Sequence, residues 1–311
     1  MAKYLFGPVF SRRLGISLGV DLVPHKVCSL NCIYCEAKAT SNLTLQRKEY
    51  VSFSKIIAEL TEFLKTNPPL DFITFSGAGE PLLNNKISEI IAFLKTNFPQ
   101  YKLALITNST LLSDENIRNE IKNIDLLLPS LDAVSSDVFK KINRPNCQLE
   151  ITKIIDGLIE FRKIFRGKIW LEIFLIEGLN DSENELKLLK NAIQKIKPDE
   201  IQLNSLDRPG TLSWVKPLSI EKLENIVAFF KPLSVGIIGK NKKIAKLSNS
   251  QNNVKSQILQ TIKRRPCTNT ELAKMCGIST VEIDKNLEKL ISENKISTQK
   301  QERGIFYCAK N

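Results

Sequence analysis

The chain has 311 residues, of which 42% are hydrophobic and 25% are charged. This balance is usual for globular proteins and argues against a disordered, collagen-like or membrane-spanning chain. Lysine and arginine number 45 against 33 acidic residues, which gives a formal net charge of +12. Such a surplus attracts polyanions, so nucleic acid is a candidate partner, although a lysine-rich solvated surface accounts for the charge equally well.

The sequence carries no membrane or export signal. No apolar run reaches the about 18 residues that a transmembrane helix needs. The N-terminal residues lead into Ser11-Arg12-Arg13 without the apolar core of a secretory signal. We therefore expect a cytoplasmic protein that makes no membrane contact.

Strand-like and helix-like segments alternate along most of the chain. Strand-like runs lie at 16–22, 72–75, 103–107, 124–131, 169–176 and 201–203. Apolar residues recur at helical spacing within 56–64, 87–94, 151–158, 186–196 and 223–230. This alternation predicts an α/β fold in which six β/α units form a partial (β/α)6 barrel. Ligands of such barrels bind beyond the carboxyl ends of the strands, so functional residues are expected in the loops that follow the strands.

Cys28, Cys32 and Cys35 lie together in the octapeptide CSLNCIYC. The chain has seven cysteines in all, and an odd number in a reducing compartment favours metal or redox chemistry over disulfides. Three thiolates this close can bind three corners of a cubane iron–sulfur cluster. Because no fourth cysteine lies nearby, one iron would keep an open coordination site. Zinc is the alternative metal, but a loop with His25 as the only nearby histidine suits it poorly.

Small and polar residues follow the predicted strands at the edge where ligands are expected. After the second strand, the glycines on either side of Ala78 let a ligand approach the backbone closely, and Glu80 can accept a bond from an ammonium group. After the fourth strand, Ser130 and Asp132 are suited either to a ribose hydroxyl or to capping the next helix. The candidate binding residues are Gly77, Ala78, Gly79, Glu80, Asn108, Ser130 and Asp132.

The spacing Cys-x3-Cys-x2-Cys, with Tyr34 before the third cysteine, resembles the signature of the radical S-adenosylmethionine (SAM) superfamily. The segment SGAGEP at 76–81 is similar to the Gly-Gly-Glu-Pro motif of that superfamily, with Ala78 in place of its first glycine. The resemblance implies a 4Fe–4S cluster on the three cysteines, with SAM chelated by the open iron and cradled by Tyr34 and the candidate residues above. It also implies reductive cleavage of SAM to a 5′-deoxyadenosyl radical that abstracts a substrate hydrogen. An electron donor such as flavodoxin or ferredoxin is then required.

Further motifs in residues 1–233 are similar to a group of iron–sulfur oxidoreductases related to wyosine-type tRNA-modifying enzymes. They include SRRLG at 11–15, SLDA at 130–133 and INRP at 142–145. This resemblance implies a tRNA base as one candidate substrate, beside a peptide or a small metabolite. Wyosine-forming enzymes carry a second cluster on cysteines upstream of the radical SAM loop, whereas this chain has no cysteine before Cys28. We therefore do not expect the wyosine reaction itself.

The C-terminal part of the chain differs in pattern. Residues 240–253 are rich in lysine, asparagine and serine and predict a linker between a barrel domain (1–239) and a C-terminal domain (254–311). Three amphipathic helices followed by two short strand-like runs resemble a winged-helix domain. The helix that would read DNA carries four acidic residues against two lysines and would repel phosphate, which favours a substrate-presenting or protein-contacting module. The acidic residues are Glu282, Asp284, Glu288 and Glu293.

Two other functions are compatible with the sequence. An iron–sulfur redox sensor whose winged helix binds DNA would need no SAM cradle, and its DNA affinity would fall steeply with salt. A glycyl-radical activase would act on a partner protein. The loop that contains Glu80 favours an enzyme that turns over SAM over the sensor.

Overall fold

The computed structural model describes residues 3–238, 254–301 and 303–310. The predicted linker at 240–253 and the last residue of the predicted barrel domain lie outside these described residues. In chain order, the strands are β1 (Leu5–Ser11), β2 (Gly15–Asp21), β3 (Val27–Cys28), β4 (Asn42–Leu43), β5 (Phe72–Ser76), β6 (Lys102–Thr107), β7 (Leu126–Pro129), β8 (Lys168–Phe174), β9 (Glu200–Asn204), β10 (Val235–Ile237), β11 (Ile296–Gln301) and β12 (Gly304–Ala309). The helices are α1 (Phe53–Leu64), α2 (Ile87–Asn97), α3 (Glu115–Ile121), α4 (Ser136–Asn143), α5 (Ile151–Ile164), α6 (Glu183–Ile196), α7 (Ile220–Phe230), α8 (Val254–Arg264), α9 (Asn269–Cys276) and α10 (Thr280–Ser292).

The main sheet has eight strands in the order β1-β2-β5-β6-β7-β8-β9-β10. Strand β1 runs antiparallel to β2, and every other neighbouring pair is parallel. All six predicted strands are present, so the predicted α/β fold is confirmed. Among the described residues β1 and β10 have one neighbour each, and this open order is consistent with a partial barrel.

The helices cover the sheet with the apolar stripes that the sequence predicted. In α2, for example, all four stripe residues are buried, and in α1 the buried residues are Ile56, Leu60 and Leu64. The four residues of β7 are buried as well, as expected for a parallel strand that is covered on both faces. The carboxyl ends of the parallel strands meet at one edge of the sheet. The loops at this edge carry the candidate site.

The sequence patterns missed six described elements of this part of the fold, of which β3 and β4 have two residues each. Strand β1 has an irregular register between Phe6 and Val9, which interrupts the alternation that marks a strand. Strand β10 has three residues, and α3 has seven residues with two of them buried. Helix α4 has eight residues and a Lys-rich last turn. Segments this short give too few repeats for a periodic signal to stand out.

The C-terminal segment (Val254–Ala309) contains helices α8–α10 and an antiparallel ribbon of β11 and β12. These are the helices and strands that the sequence predicted there. Its buried side chains, including Ile258, Leu287 and Cys276, form a cluster separate from the core of the main sheet. Both α9 and α10 begin with a capping box, in which the side chain of the cap residue and a glutamate three positions later satisfy each other's backbone amides.

None of the described helices combines the length and the apolar character that crossing a bilayer requires.

Candidate functional site

The three clustered cysteines lie in a loop that is held on both sides by backbone hydrogen bonds. The amide of Ile33 donates to the carbonyl of Ile142 at 2.9 Å, and the amide of Thr44 donates to the carbonyl of Cys28 at 3.0 Å. Leu30 forms an isolated bridge with Pro145. The cysteine side chains are partly buried and unbridged. The loop is therefore fixed in place by two other segments of the chain.

Each of the three thiol sulfurs has its own side-chain donor. The three donors come from the segment before the loop, from the loop after β6 and from the end of α4. The contacts are Lys26 Nζ to Cys35 Sγ at 3.1 Å, Asn108 Nδ2 to Cys28 Sγ at 3.4 Å and Asn143 Nδ2 to Cys32 Sγ at 3.5 Å. Donors aimed at sulfur stabilise thiolates, so this arrangement suits cysteines that act as metal ligands.

The geometry of the thiols fits a cluster better than a single ion. Within the part of the chain that the structure describes, no three His, Cys, Asp or Glu side chains converge closely enough to hold one metal ion. Three thiolates that bind three different irons of a cubane stand farther apart than the ligands of one zinc. The arrangement of the three thiols is therefore compatible with a cluster whose irons each bind one thiolate.

Burial favours the neutral thiol at Cys28 and at Cys32 in the metal-free protein. Burial raises the pKa of the Cys28 thiol to about 11, and the Glu80 carboxylate adds to this effect. Burial raises the pKa of Cys32 further. Because a cluster binds thiolates, its assembly on this loop is coupled to the release of protons.

The glycine-containing loop after β5 packs against the segment that leads to the cysteines. A Cβ at Gly79 would lie 2.2 Å from the carbonyl oxygen of Val27, and one at Gly77, where φ is +144°, would lie 2.2 Å from Asp21 Oδ1. Both positions therefore require glycine. The carbonyl of Ala78 accepts the amide of Lys26 at 2.7 Å, so the residue that departs from the family motif keeps the loop in place through its backbone.

Glu80 is 2% exposed, and its carboxylate is occupied by three donors from the protein. Oε1 accepts the amide of Leu82 at 3.1 Å and the hydroxyl of Thr107 at 2.7 Å, and Oε2 accepts the amide of Asn108 at 2.8 Å. Burial raises the pKa of Glu80 to about 7, against the lowering effect of these bonds. The side chain thus joins the loops after β5 and β6 and positions Asn108, the donor to Cys28.

Asp132 positions the donor to Cys32, as Glu80 positions the donor to Cys28. It is 4% exposed, and Oδ1 accepts the amide of Phe174 at 2.8 Å while Oδ2 accepts Asn143 Nδ2 at 2.9 Å and the Tyr34 hydroxyl. The Tyr34 ring stacks on Phe174 with centroids 4.0 Å apart. Burial raises the pKa of Asp132 to about 6. This carboxylate positions Asn143 and Tyr34 and does not cap the next helix.

Ser130 completes the set of predicted site residues. It directly follows β7, where its amide donates to the carbonyl of Thr107 at 2.9 Å. Its carbonyl accepts the Ser109 hydroxyl at 2.8 Å. The structure therefore brings all the predicted residues to one edge of the sheet around the cysteine loop. Lys26, Asn143 and Phe174 were not predicted as site residues, although Asn143 lies within the INRP motif at 142–145.

The C-terminal segment packs against the same edge through partly buried ion pairs. Arg208, which follows β9, is 2% exposed and contacts Glu271 at the start of α9 and Glu36 at 3.4 Å. Glu36 is the residue after Cys35, so these contacts connect α9 to the cysteine loop. A second pair joins Arg264 of α8 to Asp21, the last residue of β2, at 2.8 Å. Arg208 and Arg303 hold the pKa of Glu271 below its usual value although burial raises it.

A cleft of about 420 Å³ lies beside the cysteine loop. Its walls are basic or small, and no acidic side chain from the described part of the chain lines it. The lining residues are His25, Lys26, Lys38, Ala39, Ser41, Gly210 and Thr211. Thr211 also donates its hydroxyl to the carbonyl of Cys35 at 3.0 Å, so one wall of the cleft is fixed directly to the loop.

Comparisons with known proteins agree with this geometry. The model of the radical SAM superfamily matches residues 22–189, more than half of the chain. A UPF0026 protein of Methanocaldococcus jannaschii is 32% identical over 97% of this chain and 94% of its own length. A Brachyspira hyodysenteriae protein named GTPase Obg is 37% identical over 94% of this chain but only 43% of its own length, so this chain spans less than half of that relative.

A solved structure shares the fold. A radical SAM methyltransferase from Sphaerobacter thermophilus superimposes with a TM-score of 0.55 at 18% identity, over 71% of this chain and 65% of that protein. The superfamily match contains the cysteine loop and strands β3 to β8. The chain belongs to the radical SAM superfamily and, by its similarity over nearly the full length, to the UPF0026 proteins.

Proposed function

We propose that this protein holds a 4Fe–4S cluster on Cys28, Cys32 and Cys35 and uses it with SAM to abstract a hydrogen atom from a substrate. Members of the radical SAM superfamily are enzymes that use both cofactors. When bound, the reduced cluster supplies the electron that cleaves SAM to methionine and a 5′-deoxyadenosyl radical. The observation that carries the proposal is the separate donor at each of the three thiols.

The residues of this chain would hold and orient the cofactors. The cysteines bind three irons, and Asn108 and Asn143 fix the directions of two of the sulfurs. Glu80 and Asp132 act through these two asparagines, because their carboxylates are buried and bonded to protein donors. Buried carboxylates with well-placed partners keep the donors in one arrangement when the cofactors bind.

We assign the SAM site to the strand edge that faces the cysteine loop. The proposed contacts are the backbone of Gly77, Ala78 and Gly79 and the side chains of Tyr34, Asn108 and Ser130. Both glycines are required by close contacts with Asp21 and Val27, which hold this loop against the segment that leads to the cysteines. Glu80 and Asp132 belong to the same site as positioning residues.

For the substrate, we favour a tRNA base, as in the group of wyosine-type enzymes. The support is the net charge of +12 and the basic cleft beside the cysteine loop. Flavodoxin or ferredoxin would supply the electron. The seven unpaired cysteines suit a cytoplasmic location.

We also propose the domain division that the sequence suggested, with a barrel domain (1–239), a linker (240–253) and a winged-helix domain (254–311). The separate core of the C-terminal segment and its three helices with an antiparallel ribbon support this division. The ion pairs of Glu271 and Arg264 favour a role as part of the site wall over a role in DNA sensing. Acidic residues along α10 point the same way, since they repel phosphate.

The test is anaerobic reconstitution of the full chain with iron and sulfide. We expect about four irons per chain and, after reduction, an electron paramagnetic resonance (EPR) signal that changes shape when SAM is added. Cys32→Ala should lose this signal, and the exposed Cys147→Ala should keep it. A chain that takes up no iron, or a Cys32→Ala variant with a full signal, would contradict the proposal.

A further inference from the structure

Lys26 is the only charged donor among the three that contact the cluster cysteines. Its side chain is 4% exposed, and Nζ lies 3.1 Å from Cys35 Sγ. Among the described residues, no carboxylate forms an ion pair with it. Moving an unpaired charge from water into the protein interior is unfavourable in free energy, so a buried ammonium group needs a negative group nearby. The nearest candidate is the thiolate that Cys35 becomes when it binds iron.

The backbone holds Lys26 in a conformation that aims the side chain at the loop. Its φ is +61°, in the left-handed region that a lysine rarely adopts. The amide donates to the carbonyl of Ala78 at 2.7 Å, and the carbonyl accepts the amides of Ser41 and Asn42 at 3.1 Å each. The conformation of Lys26 is strained, and hydrogen bonds hold both its amide and its carbonyl. We infer that the site requires the side chain of Lys26 in this position.

We propose that Lys26 is a positioning residue that sets the reduction potential of the cluster. This inference rests on the proposed function and deepens it. Reduction adds one electron from a low-potential one-electron carrier to the oxidised cluster, and it makes or breaks no bond at Lys26. The reduced cluster carries one more negative charge than the oxidised cluster, so the ammonium attracts it more strongly. Burial of Lys26 increases this difference, because water screens the interaction less. Lys26 therefore stabilises the reduced state.

The neutral donors provide the comparison within the same site. Asn108 and Asn143 also contact cysteine sulfurs, but each carries a dipole and no net charge. Hydrogen bonds from charged donors are roughly twice as strong as those between neutral groups. We therefore assign the main effect on the potential to Lys26, while the asparagines mainly fix the sulfur positions.

The experiment is a redox titration of the reconstituted full chain without SAM, followed by the EPR signal of the reduced cluster. Lys26→Met removes the charge and keeps most of the volume, Lys26→Gln keeps a neutral donor, and Lys26→Arg keeps the charge. At a fixed potential near the wild-type midpoint, we expect the ratio of reduced to oxidised cluster to fall at least tenfold in Lys26→Met and Lys26→Gln. That change corresponds to a midpoint about 59 mV more negative for a one-electron couple.

Lys26→Arg should stay near the wild type, as should the matched control Lys48→Met, which removes an exposed lysine that lies over the Tyr50 ring. Iron and sulfide content is measured for every variant. If Lys26→Met loses its cluster, the midpoint potential of Lys26→Gln is compared with that of the wild type. An unchanged potential in a fully loaded Met or Gln variant would overturn the inference, as would loss of iron in both while Lys26→Arg keeps it. Failure of the proposed function is distinct, because the wild type itself would then hold no cluster.

Discussion

Glu80 Oε2 accepts the backbone amide of Asn108 at 2.8 Å, and the side chain of the same asparagine donates to Cys28 Sγ at 3.4 Å. A carboxylate in the loop after β5 therefore determines where a donor to the cysteine loop stands. The equivalent chain runs from Asp132 through Asn143 to Cys32. In both cases a buried acid acts on the proposed cluster through an intermediate amide.

Replacing Glu80 with glutamine tests the first of these chains. Glutamine keeps the shape of the glutamate side chain. Its NH2 group is a donor, however, and would face groups that now donate hydrogen bonds to the carboxylate. We expect a loss of about 1–3 kcal/mol in the free energy of unfolding, measured by urea denaturation, together with at least tenfold weaker SAM binding by equilibrium dialysis. Glu89→Gln, at an exposed ion pair with Lys86, is the matched control and should change neither quantity. Full SAM affinity in Glu80→Gln would contradict the positioning role.

The raised pKa of Glu80 predicts a pH dependence of stability with a definite sign. Burial raises this pKa from 4.5 to about 7, so the folded protein binds the proton more tightly than the unfolded chain. The stabilisation is complete below pH 4.5 and is lost as the pH rises through about 7. The slope for this one group is at most about 1.4 kcal/mol per pH unit.

The measurement is the difference in unfolding free energy between the wild type and Glu80→Gln in the cluster-free protein. This difference removes the contributions of all other titrating groups. We expect the wild type to lose stability relative to Glu80→Gln as the pH is raised from 5 to 7. A difference that is constant with pH would mean that Glu80 is ionised in the folded protein at ordinary acidic pH.

Asn143→Ala tests the donor to Cys32. The variant removes the amide that lies between Asp132 Oδ2 and Cys32 Sγ, and it leaves the buried Asp132 with one fewer partner. We expect a cluster that still assembles but loses iron several-fold faster in air, because support from residues behind the ligands typically changes metal affinity about 10–100-fold. Iron release followed by a chelator gives the rate. Asn119→Ala, on the exposed face of α3, should release iron at the wild-type rate.

Arg208→Ala tests the contact of the C-terminal segment with the cysteine loop. The change removes the buried cation that joins Glu36 to Glu271, while Glu271 keeps its pair with Arg303, and the loss of these charged hydrogen bonds is expected to cost about 1–3 kcal/mol. Urea denaturation measures the loss. Lys153→Ala removes the solvent-exposed pair with Glu150 and should cost less than about 1 kcal/mol. Equal effects of the two substitutions would show that Arg208 does not connect the two parts.

The sequence predicted those parts of the fold and site whose signals are local. The cysteine spacing lies within eight residues, and each long apolar stripe repeats several times along one helix. The glycines were expected to let a ligand approach the backbone, and this stays a prediction, because the short distances at Gly77 and Gly79 are to Asp21 and Val27 of the protein itself. Short elements such as β10 and α3 lacked enough repeats to be recognised.

The support of the cluster loop could not be predicted because its partners are far apart in sequence. Asn143 and Cys32 are 111 positions apart, and Asn108 and Cys28 are 80 apart. Lys26 is only nine positions from Cys35, but its direction depends on a left-handed backbone that lysine seldom adopts. For Glu80, the sequence indicated a carboxylate near a ligand, whereas its burial and its three protein donors depend on how two loops meet.

The most direct test of the account is the formation of 5′-deoxyadenosine by the reconstituted protein, incubated without oxygen with dithionite and SAM and analysed by liquid chromatography. We expect 5′-deoxyadenosine and methionine in equal amounts from the wild type and none above background from Cys32→Ala. Cluster-loaded wild type that leaves SAM intact under these conditions, or a Cys32→Ala variant that cleaves it equally well, would contradict the claim that the three thiols hold a catalytic cluster.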